Sequence, residues 1–420
     1  MKGNFTMIND SRLIKLYGER ALTAQKERYA KAERSFAEIF GVQENVRVFS
    51  ASGRTEICGN HTDHNCGKVL AAAVDLDVIA YAVPTNDGVI TVKSEGFPMD
   101  TIDTADLTVH NDELNSSAAL IRGVAAGFAK DGLKIGGFKA YTTSNVLKGS
   151  GVSSSAAFEV LVGTILSHLY NGGEVSAVKV AQIAQYAENV YFGKPSGLMD
   201  QMASSVGGFI TIDFNDVAAP VIGSLDYDFS VSGYTLCLVD TKGSHADLTP
   251  DYAALPREMK AAAAVFGKDV LRRVDEGEFR AKLGLVREKC GDRAVLRALH
   301  FYDENKRVDA AAAALNNGDI NSFLAAINAS GNSSFKFLQN VFSPNKPQEQ
   351  GISLGLYTAE RVLNGRGACR VHGGGFAGTI QAFVPNDILT DFIAAEESVF
   401  GEGSCHCMYI RPLGGTMVSE

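Results

Sequence analysis

The chain has 420 residues, enough for two domains of ordinary size, and its 45% hydrophobic and 21% charged residues are typical of a globular protein. The formal net charge of −9 argues against general nucleic-acid binding. Seven cysteines are too sparse for a disulfide framework, no signal peptide is visible behind Met1, and no apolar run reaches the roughly 18 residues of a membrane span. We therefore expect a soluble cytoplasmic protein without nucleic-acid or membrane partners.

Hydrophobic spacing predicts the elements of the first half of the chain. The predicted helices cover residues 11–40, 116–130, 158–169 and 176–192. The predicted strands cover residues 45–51, 78–84, 88–94, 138–146 and 208–214. The helix over 158–169 carries a wide apolar stripe and ends at Asn171-Gly172, a typical C-terminal cap.

The pattern of predicted elements changes in the second half of the chain, and the sequence predicts a domain boundary near residues 215–230. Its predicted elements are a strand at 234–240, a long helical stretch at about 251–365, strands at 367–372 and 378–384 around a glycine turn, a helix near 387–400 and a last strand near 405–411. Strands and helices do not alternate regularly, so the sequence favours an α+β fold over a doubly wound sheet.

The first motif that contains both glycines and reactive side chains is Ser52–Asn65. The many polar groups of this glycine-punctuated span could bind several hydroxyls of a polar ligand. A polar surface turn is the alternative interpretation.

A second motif, Gly149-Ser150-Gly151-Val152-Ser153-Ser154-Ser155, opens an apolar helix. Glycines let the backbone approach an anion, and the first free N–H groups of the helix favour negative charge. The motif lacks the Gly-Lys-Ser/Thr ending of a Walker loop. It predicts a phosphate site, with a flexible strand-to-helix turn as the alternative.

The remaining two motifs are weaker alone. Glu188 near a helix end could hold magnesium, which prefers oxygen ligands, and Asp200 after the glycine turn at Gly197 could act as a base. A solvated helix-end glutamate and a helix-capping aspartate are the alternatives. The four glycines of Val371–Gly378 suggest close backbone packing against a neighbour or ligand, or a plain hairpin turn.

In this order the four motifs resemble the signatures of the GHMP family of small-molecule kinases, and most closely its galactokinase branch. Gly53–His64 is similar to Gly-Arg-x-x-x-x-Gly-Glu-His-Thr-Asp-Tyr, and Gly149–Ala156 to Gly-x-Gly-Leu-Ser-Ser-Ser-Ala with Val152 for Leu. Gly197–Gln201 mirrors Gly-Ile-Met-Asp-Gln, and Gly373–Gly378 resembles Gly-Gly-Gly-Phe-Gly-Gly with Ala377 for one glycine. The resemblance runs from about residue 30 to the C-terminus.

The resemblance implies an N-terminal domain of the ribosomal S5 domain 2 type and a ferredoxin-like C-terminal domain, with the active site between them. We expect these domains at 31–220 and 221–420, after an extra surface helix within 1–30 that has no assigned role. The implied reaction is ATP-dependent phosphorylation of the anomeric C1 hydroxyl of galactose. We expect the sugar and ATP as small-molecule partners, Mg²⁺ as cofactor, and a monomer.

The same resemblance implies the site residues. Asp200 would be the base and Arg54 its positively charged partner. Ser155 and Glu188 would hold magnesium. ATP would lie on Gly149, Ser150, Gly151, Val152, Ser153, Ser154 and Ser155. The sugar would face Asn60, His61, Thr62, Asp63, Gly197 and Tyr252.

Two residues depart from the first signature, since Asn60 stands for Glu and His64 for Tyr. In the family that Glu accepts a hydrogen bond from a sugar hydroxyl. Asn also accepts, but it donates as well and carries no charge. Galactose, galacturonate, N-acetylgalactosamine and other aldoses therefore stay open as substrates. A non-catalytic galactose- and ATP-binding sensor is a further alternative, although such relatives lack a Ser-Ala pair in the serine loop, and Ser155-Ala156 is present here.

Overall fold

A computed structural model of the protein describes residues 8–146, 152–194, 196–244 and 246–419. Its α-helices are α1 (Asp10–Tyr17), α2 (Leu22–Phe40), α3 (Ser117–Lys130), α4 (Ser154–Tyr170), α5 (Ala177–Tyr186), α6 (Met199–Val206), α7 (Thr249–Ala264), α8 (Glu276–Ala281), α9 (Leu283–Cys290), α10 (Asp292–Asn316), α11 (Ile320–Ser333), α12 (Gly351–Leu363) and α13 (Leu389–Phe400). Two π-helical turns, Ala187–Phe192 and Ser334–Leu338, follow α5 and α11.

The strands are β1 (Arg47–Cys58), β2 (Lys68–Pro84), β3 (Val89–Ser94), β4 (Met99–Asp103), β5 (Phe138–Ser144), β6 (Phe209–Asp213), β7 (Val221–Leu225), β8 (Tyr234–Asp240), β9 (Ala368–Val371), β10 (Thr379–Pro385), β11 (Cys405–Met408) and β12 (Thr416–Met417). They form a larger sheet of order β12-β1-β2-β5-β3-β4, in which β6 also pairs with β2 and β7 with β6. A second, antiparallel sheet has the order β11-β8-β10-β9. This arrangement confirms the expected α+β class.

The two sheets share apolar packing. Side chains of the second sheet alternate between its faces, as the period of two in a strand requires. Leu236, Leu238 and Phe383 belong to the same core cluster as Phe49 of β1 and the inner face of α4. Cys237 and Val239, on the opposite face of β8, pack with residues of α12 and α13 instead. The second sheet is therefore covered on both faces and joined to the larger sheet on one of them.

The N-terminal helical region is broken at Gly18, where φ is +75° and the C-cap amide bonds back to Ile14. Both resulting helices are amphipathic and bury one face, including Leu16 and Tyr29, against the back of the larger sheet. Leu13, Leu16, Tyr17 and Tyr29 are buried, whereas most other residues of 8–30 stay exposed or half-buried, so two helices lie on the surface where one was expected. Residues 1–7 lie outside the described ranges.

Two long strands differ most from expectation. β2 is one strand of 17 residues, of which the sequence predicted only the end at 78–84. β1 continues to Cys58, past the predicted end at residue 51, and carries the first half of the first signature. Polar residues such as Arg54 and Glu56 hide the strand pattern, because their side chains form ion pairs with Asp200 and Arg370 instead of packing among apolar residues. Within the described ranges, no helix combines the length and apolar character needed to cross a bilayer.

Candidate active site

The centre of the site is an ion pair between β1 and the first turn of α6. Nε of Arg54 donates to Oδ1 of Asp200 at 2.7 Å, and both side chains are partly exposed. Burial by itself would raise the pKa of Asp200, but the charge and hydrogen bond of Arg54 and a hydrogen bond from Ser153 hold it below its ordinary value. The carboxylate is therefore ionised at neutral pH and able to accept a proton.

The end of the serine loop lies against this pair. The backbone N–H of Arg54 donates to the carbonyl of Val152 at 3.1 Å, and Ser153 has a φ of +56° just before α4 begins. A Cβ atom on Gly53 would stand 2.9 Å from the same carbonyl, so glycine permits this approach. Gly149, Ser150 and Gly151 lie outside the described residues. The N-terminus of α4 thus opens beside Arg54 and Asp200.

A cluster of oxygen atoms follows on the other side of α4. Glu188 is nearly fully buried on the π-helical turn after α5. Its Oε1 accepts from the Ser155 hydroxyl at 3.0 Å and from Nζ of Lys194 at 2.8 Å, and its Oε2 accepts from Nε2 of Gln201 at 2.7 Å. Because Gln201 follows Asp200 in the chain, the cluster is connected directly to the Arg54–Asp200 ion pair.

Glu159 belongs to this cluster but carries no motif. It is buried on α4, Gln201 donates to its Oε2 at 3.1 Å, and its Oε1 has no hydrogen-bond partner among the described residues. Burial and the charge of Glu188 raise the pKa of Glu159 well above its ordinary value. One signal in the sequence could have found it, namely a glutamate within the apolar stripe of the helix that follows the serine loop.

These oxygen donors suit a small hard cation. The hydroxyl of Ser155, the carboxylate of Glu188 and the unpartnered oxygen of Glu159 are of the ligand type that Mg²⁺ prefers. No group of three or more His, Cys, Asp or Glu side chains in the described part of the chain is arranged as a metal centre.

The glycine turn after β9 brings the sugar-site candidates together. Its carbonyl oxygens accept three successive side-chain hydrogen bonds: Nδ2 of Asn60 to Gly373 at 2.7 Å, Nε2 of His61 to Gly374 at 2.9 Å, and the Tyr252 hydroxyl to Gly375 at 2.8 Å. The first signature, Tyr252 and the glycine turn are thus one structural unit, although they are far apart in the sequence.

The polar groups of this unit differ in how much of their hydrogen-bonding capacity and surface remains available to a ligand. The Thr62 hydroxyl donates within its own turn, to Gly59 and Lys68. Burial and the charge of His64 lower the pKa of His61 to about 4, so its ring is neutral. Asp63 keeps about a quarter of its side chain exposed, and a Cβ on Gly197 would lie 3.3 Å from its Oδ2. Asp63 and Gly197 therefore adjoin across the cleft.

Sequence reasoning missed the supports from the second half of the chain. His300 on α10 bonds through Nε2 to the carbonyl of Asn60 at 2.9 Å, and Nδ2 of Asn340 donates to Oδ1 of Asn60 at 2.7 Å. Nη1 of Arg370 donates to the carbonyl of Ile57 at 2.8 Å. No local pattern marks these residues, because each acts on a segment about 240 or more positions away.

Known proteins are similar to this chain in sequence and in fold. The family model for the galactokinase galactose-binding signature matches residues 34–84, and that for the GHMP kinases N terminal domain matches residues 119–208. A galactokinase of Streptomyces coelicolor is 31% identical over 356 residues, which cover 83% of this chain and 87% of that protein.

The chain belongs to the galactokinase family.

The fold of this family member agrees with solved structures. The galactokinase of Lactococcus lactis, crystallised with galactose, superposes with a TM-score of 0.75 at 26% identity and covers 92% of this chain and 99% of its own. A mevalonate kinase has a TM-score of 0.61 at 13% identity over 89% of this chain and 99% of its own, a likeness of fold alone. The family and the kinase fold expected from the four motifs are thus confirmed.

Proposed function

We propose that this protein phosphorylates the anomeric C1 hydroxyl of galactose with ATP, giving galactose 1-phosphate and ADP. The observation that carries the proposal is the ionised Asp200, paired with Arg54 between the N-terminus of α4 and the unit built from the first signature and the glycine turn. Galactokinases of Streptomyces coelicolor and Lactococcus lactis are similar to this chain, which supports galactose over the other sugars.

In the proposed reaction Asp200 accepts the proton of the C1 hydroxyl as that oxygen attacks the γ-phosphorus. Arg54 keeps Asp200 ionised and faces the charge that develops on the phosphoryl oxygens. The N–H groups at the start of α4, with the serine loop over 149–155, hold the triphosphate. Most of the rate enhancement then comes from positioning and electrostatics.

Ser155 and Glu188 would hold magnesium, with Glu159 beside them. Bound there, Mg²⁺ neutralises and orients the triphosphate. Lys194 and Gln201 hold the Glu188 carboxylate in place from two sides, so that its orientation does not depend on the cation alone.

The sugar site is proposed at the corner where Asp63, His61 and Gly197 meet Tyr252 and the glycine turn. Thr62 holds the shape of this corner, and Asn60 lies behind it. We propose that the cleft lies between domains at 31–220 and 221–420. The cytoplasmic location and the monomeric state stay predictions from the sequence.

The test is ADP release by the purified full-length protein with galactose, galacturonate, N-acetylgalactosamine and a panel of other aldoses. We expect the highest kcat/KM with galactose, and a phosphomonoester at C1 by phosphorus NMR. A better rate with galacturonate or an N-acetylated sugar would move the assignment to that substrate. Galactose and ATP binding without ADP release would identify a sensor instead.

A further inference from the structure

Glu56 is a buried carboxyl group of the cleft that the proposed reaction does not use. It lies two residues after Arg54 on β1, and the pairing of the strand with β2 is regular between them, Arg54 opposite Ala73 and Glu56 opposite Ala71. Residues two apart in a strand share a face. Glu56 therefore faces the same side of the sheet as the arginine that holds the base.

The two oxygens of this carboxyl group have different surroundings. Oε1 accepts from Nδ2 of Asn60 at 2.9 Å and from Nη2 of Arg370 at 3.2 Å. Oε2 has no hydrogen-bond partner among the described residues, and 8% of the side chain is still exposed. Because part of the side chain stays accessible, Oε2 can accept a hydrogen bond from a ligand that lies beside it.

Charged residues of both proposed sites act on Glu56. Burial raises the pKa of its carboxyl group, Arg370 and Asn60 oppose that rise, and the charges of Asp63 and Arg54 also act on it. Asp63 belongs to the proposed sugar corner, and Arg54 belongs to the proposed reacting centre on the same strand as Glu56.

Asn60, in contrast, already uses its side-chain amide in hydrogen bonds within the protein. Its side chain is fully buried, and both hydrogens of Nδ2 are used, by Glu56 and by the carbonyl of Gly373. Its Oδ1 accepts from Asn340 at 2.7 Å and from the Ser334 hydroxyl at 3.5 Å. The family signature has a carboxylate at position 60, whereas this chain has an amide there, bonded to a carboxylate four residues earlier.

We propose that Glu56, through Oε2, accepts a hydrogen bond from one hydroxyl of the sugar, and that Asn60 and Arg370 are positioning residues that hold Oε1. This inference rests on the proposed function, because it assigns a contact within the same sugar site. It makes Glu56 a specificity-determining residue of this chain and favours a neutral sugar with a hydroxyl at that corner over a uronate.

A purely structural role for Glu56, as a partner for the buried Arg370, predicts a different outcome. Loss of that role would lower stability and disturb sugar and ATP sites together. A sugar contact affects the sugar selectively, and only while the contacted hydroxyl is present. Both the variant and the ligand must therefore be changed.

The experiment compares the full-length protein with Glu56→Gln, which keeps the shape but replaces an acceptor by a donor. We expect the Kd of galactose, by calorimetry, to rise about 10- to 100-fold and that of ATP to stay within about twofold. Glu396→Gln is the matched control, since Glu396 is a buried carboxyl on α13 without a partner in the described chain. It should leave both constants unchanged.

Deoxygalactoses supply the second arm. In the wild type we expect one of them to bind at least about tenfold more weakly than galactose, and in Glu56→Gln we expect that difference to fall below about threefold. If no single deoxygalactose binds more weakly to the wild type, or if the variant keeps the same discrimination, Glu56 is not the contact. The comparison of deoxygalactoses on the wild type needs no variant, so it tests the proposal even if Glu56→Gln does not fold.

Failure of the inference is separable from failure of the proposed function. Normal ADP release from galactose with an unchanged Kd in Glu56→Gln overturns the contact alone. Galactose binding that depends on Glu56 without ADP release overturns the kinase assignment alone. A wild type that does not bind galactose overturns both.

Discussion

At the level of single residues, the chemistry depends on one carboxylate and the guanidinium beside it. Asp200 has the environment of a base, because the charge and hydrogen bond of Arg54, together with a hydrogen bond from Ser153, outweigh the burial that raises its pKa. The two residues are 146 positions apart in the sequence, and β1 and α6 bring them to 2.7 Å. Each of them can be tested separately.

We expect Asp200→Asn to lower kcat by roughly 10²- to 10⁴-fold, because the amide cannot take the proton of the attacking hydroxyl. Binding of galactose and ATP, followed by calorimetry, should change by less than about threefold. Asp131→Asn, at an exposed ion pair with Lys179, is the control and should leave kcat unaltered. Near-normal turnover by Asp200→Asn would remove Asp200 as the base.

The pH dependence of Arg54→Met tests the second residue. In the wild type the pKa of Asp200 lies below the ordinary value of about 3.9, so kcat/KM should show no acid limb between pH 5 and 8 that belongs to this group. Without the guanidinium, burial raises the pKa, and we expect an acid limb to move up into that range. The test compares the shapes of the two pH profiles of kcat/KM, because the variant is also expected to have a lower kcat/KM at every pH. An identical shape would mean that Arg54 does not set the state of Asp200.

At the level of elements, the position of Glu188 depends on a close approach between two helices. Gly123 on α3 faces the π-helical turn, and a Cβ there would stand 2.8 Å from Cα of Ala187 and 2.9 Å from Cγ of Tyr191. Cα of Ala187 is a backbone atom, so it cannot move without shifting the turn that carries Glu188. The glycine therefore permits the turn to lie where it supplies an oxygen to the cluster.

Gly123→Ala should destabilise the protein by about 1–3 kcal/mol through overpacking. We expect the KM for ATP with magnesium to rise at least about threefold, with a smaller effect on the KM for galactose, because the displaced turn carries Glu188 and not the sugar site. Gly284→Ala on α9 is the matched control, since a Cβ there meets no atom within 4 Å. Unfolding in urea and steady-state kinetics check both effects. Equal behaviour of the two variants would contradict the packing argument.

Secondary-structure elements could be predicted from the sequence where the hydrophobic pattern was regular. The helix over 116–130 and the strand at 234–240 agree closely with α3 and β8, because Leu120, Val124 and Phe128 recur at helical spacing in the first and a short apolar run forms the second. β2 was mostly missed, since it is buried almost continuously and its Ala71-Ala72-Ala73 run shows no alternation. The stretch 251–365 was correctly helical, but its division into α7–α12 follows from packing rather than from local signals.

At the level of the whole molecule, the N- and C-terminal regions meet at one buried carboxylate. Nη1 of Arg28 on α2 contacts Asp77 at 2.6 Å, and Nη1 of Arg411 contacts it at 3.0 Å. The Tyr17 and Ser50 hydroxyls also donate to it. Burial would raise the pKa of Asp77, but the two guanidinium groups hold it below its ordinary value. The network joins segments more than 300 residues apart.

We expect Asp77→Asn to lower the free energy of unfolding by about 3–5 kcal/mol at pH 7, because it leaves two guanidinium groups without their counter-charge. The folded pKa is depressed, so this contribution is complete above the unfolded pKa of about 3.9 and is lost as the pH falls through the folded value. Urea unfolding of wild type and variant should therefore converge at acid pH. Asp387→Asn, at an exposed pair with Arg366, should cost less than about 1 kcal/mol. A pH-independent difference would contradict the linkage.

The sequence by itself determined the family and the α+β class, and it singled out the residues proposed as the base, its arginine partner and the metal ligands. Those features reside in short motifs, in which glycines and reactive side chains stand at fixed spacings that the chemistry requires. Only the tertiary structure decided how the motifs meet: that the carbonyls of the glycine turn bind Asn60, His61 and Tyr252, and that Glu159 joins Glu188. Among the described residues, it also gives both Asn60 side-chain atoms protein partners and gives only Oε1 of Glu56 such partners. Such contacts join residues that are far apart in the chain. The hydrogen-bonding atoms that each side chain keeps available therefore depend on neighbours that no local pattern specifies.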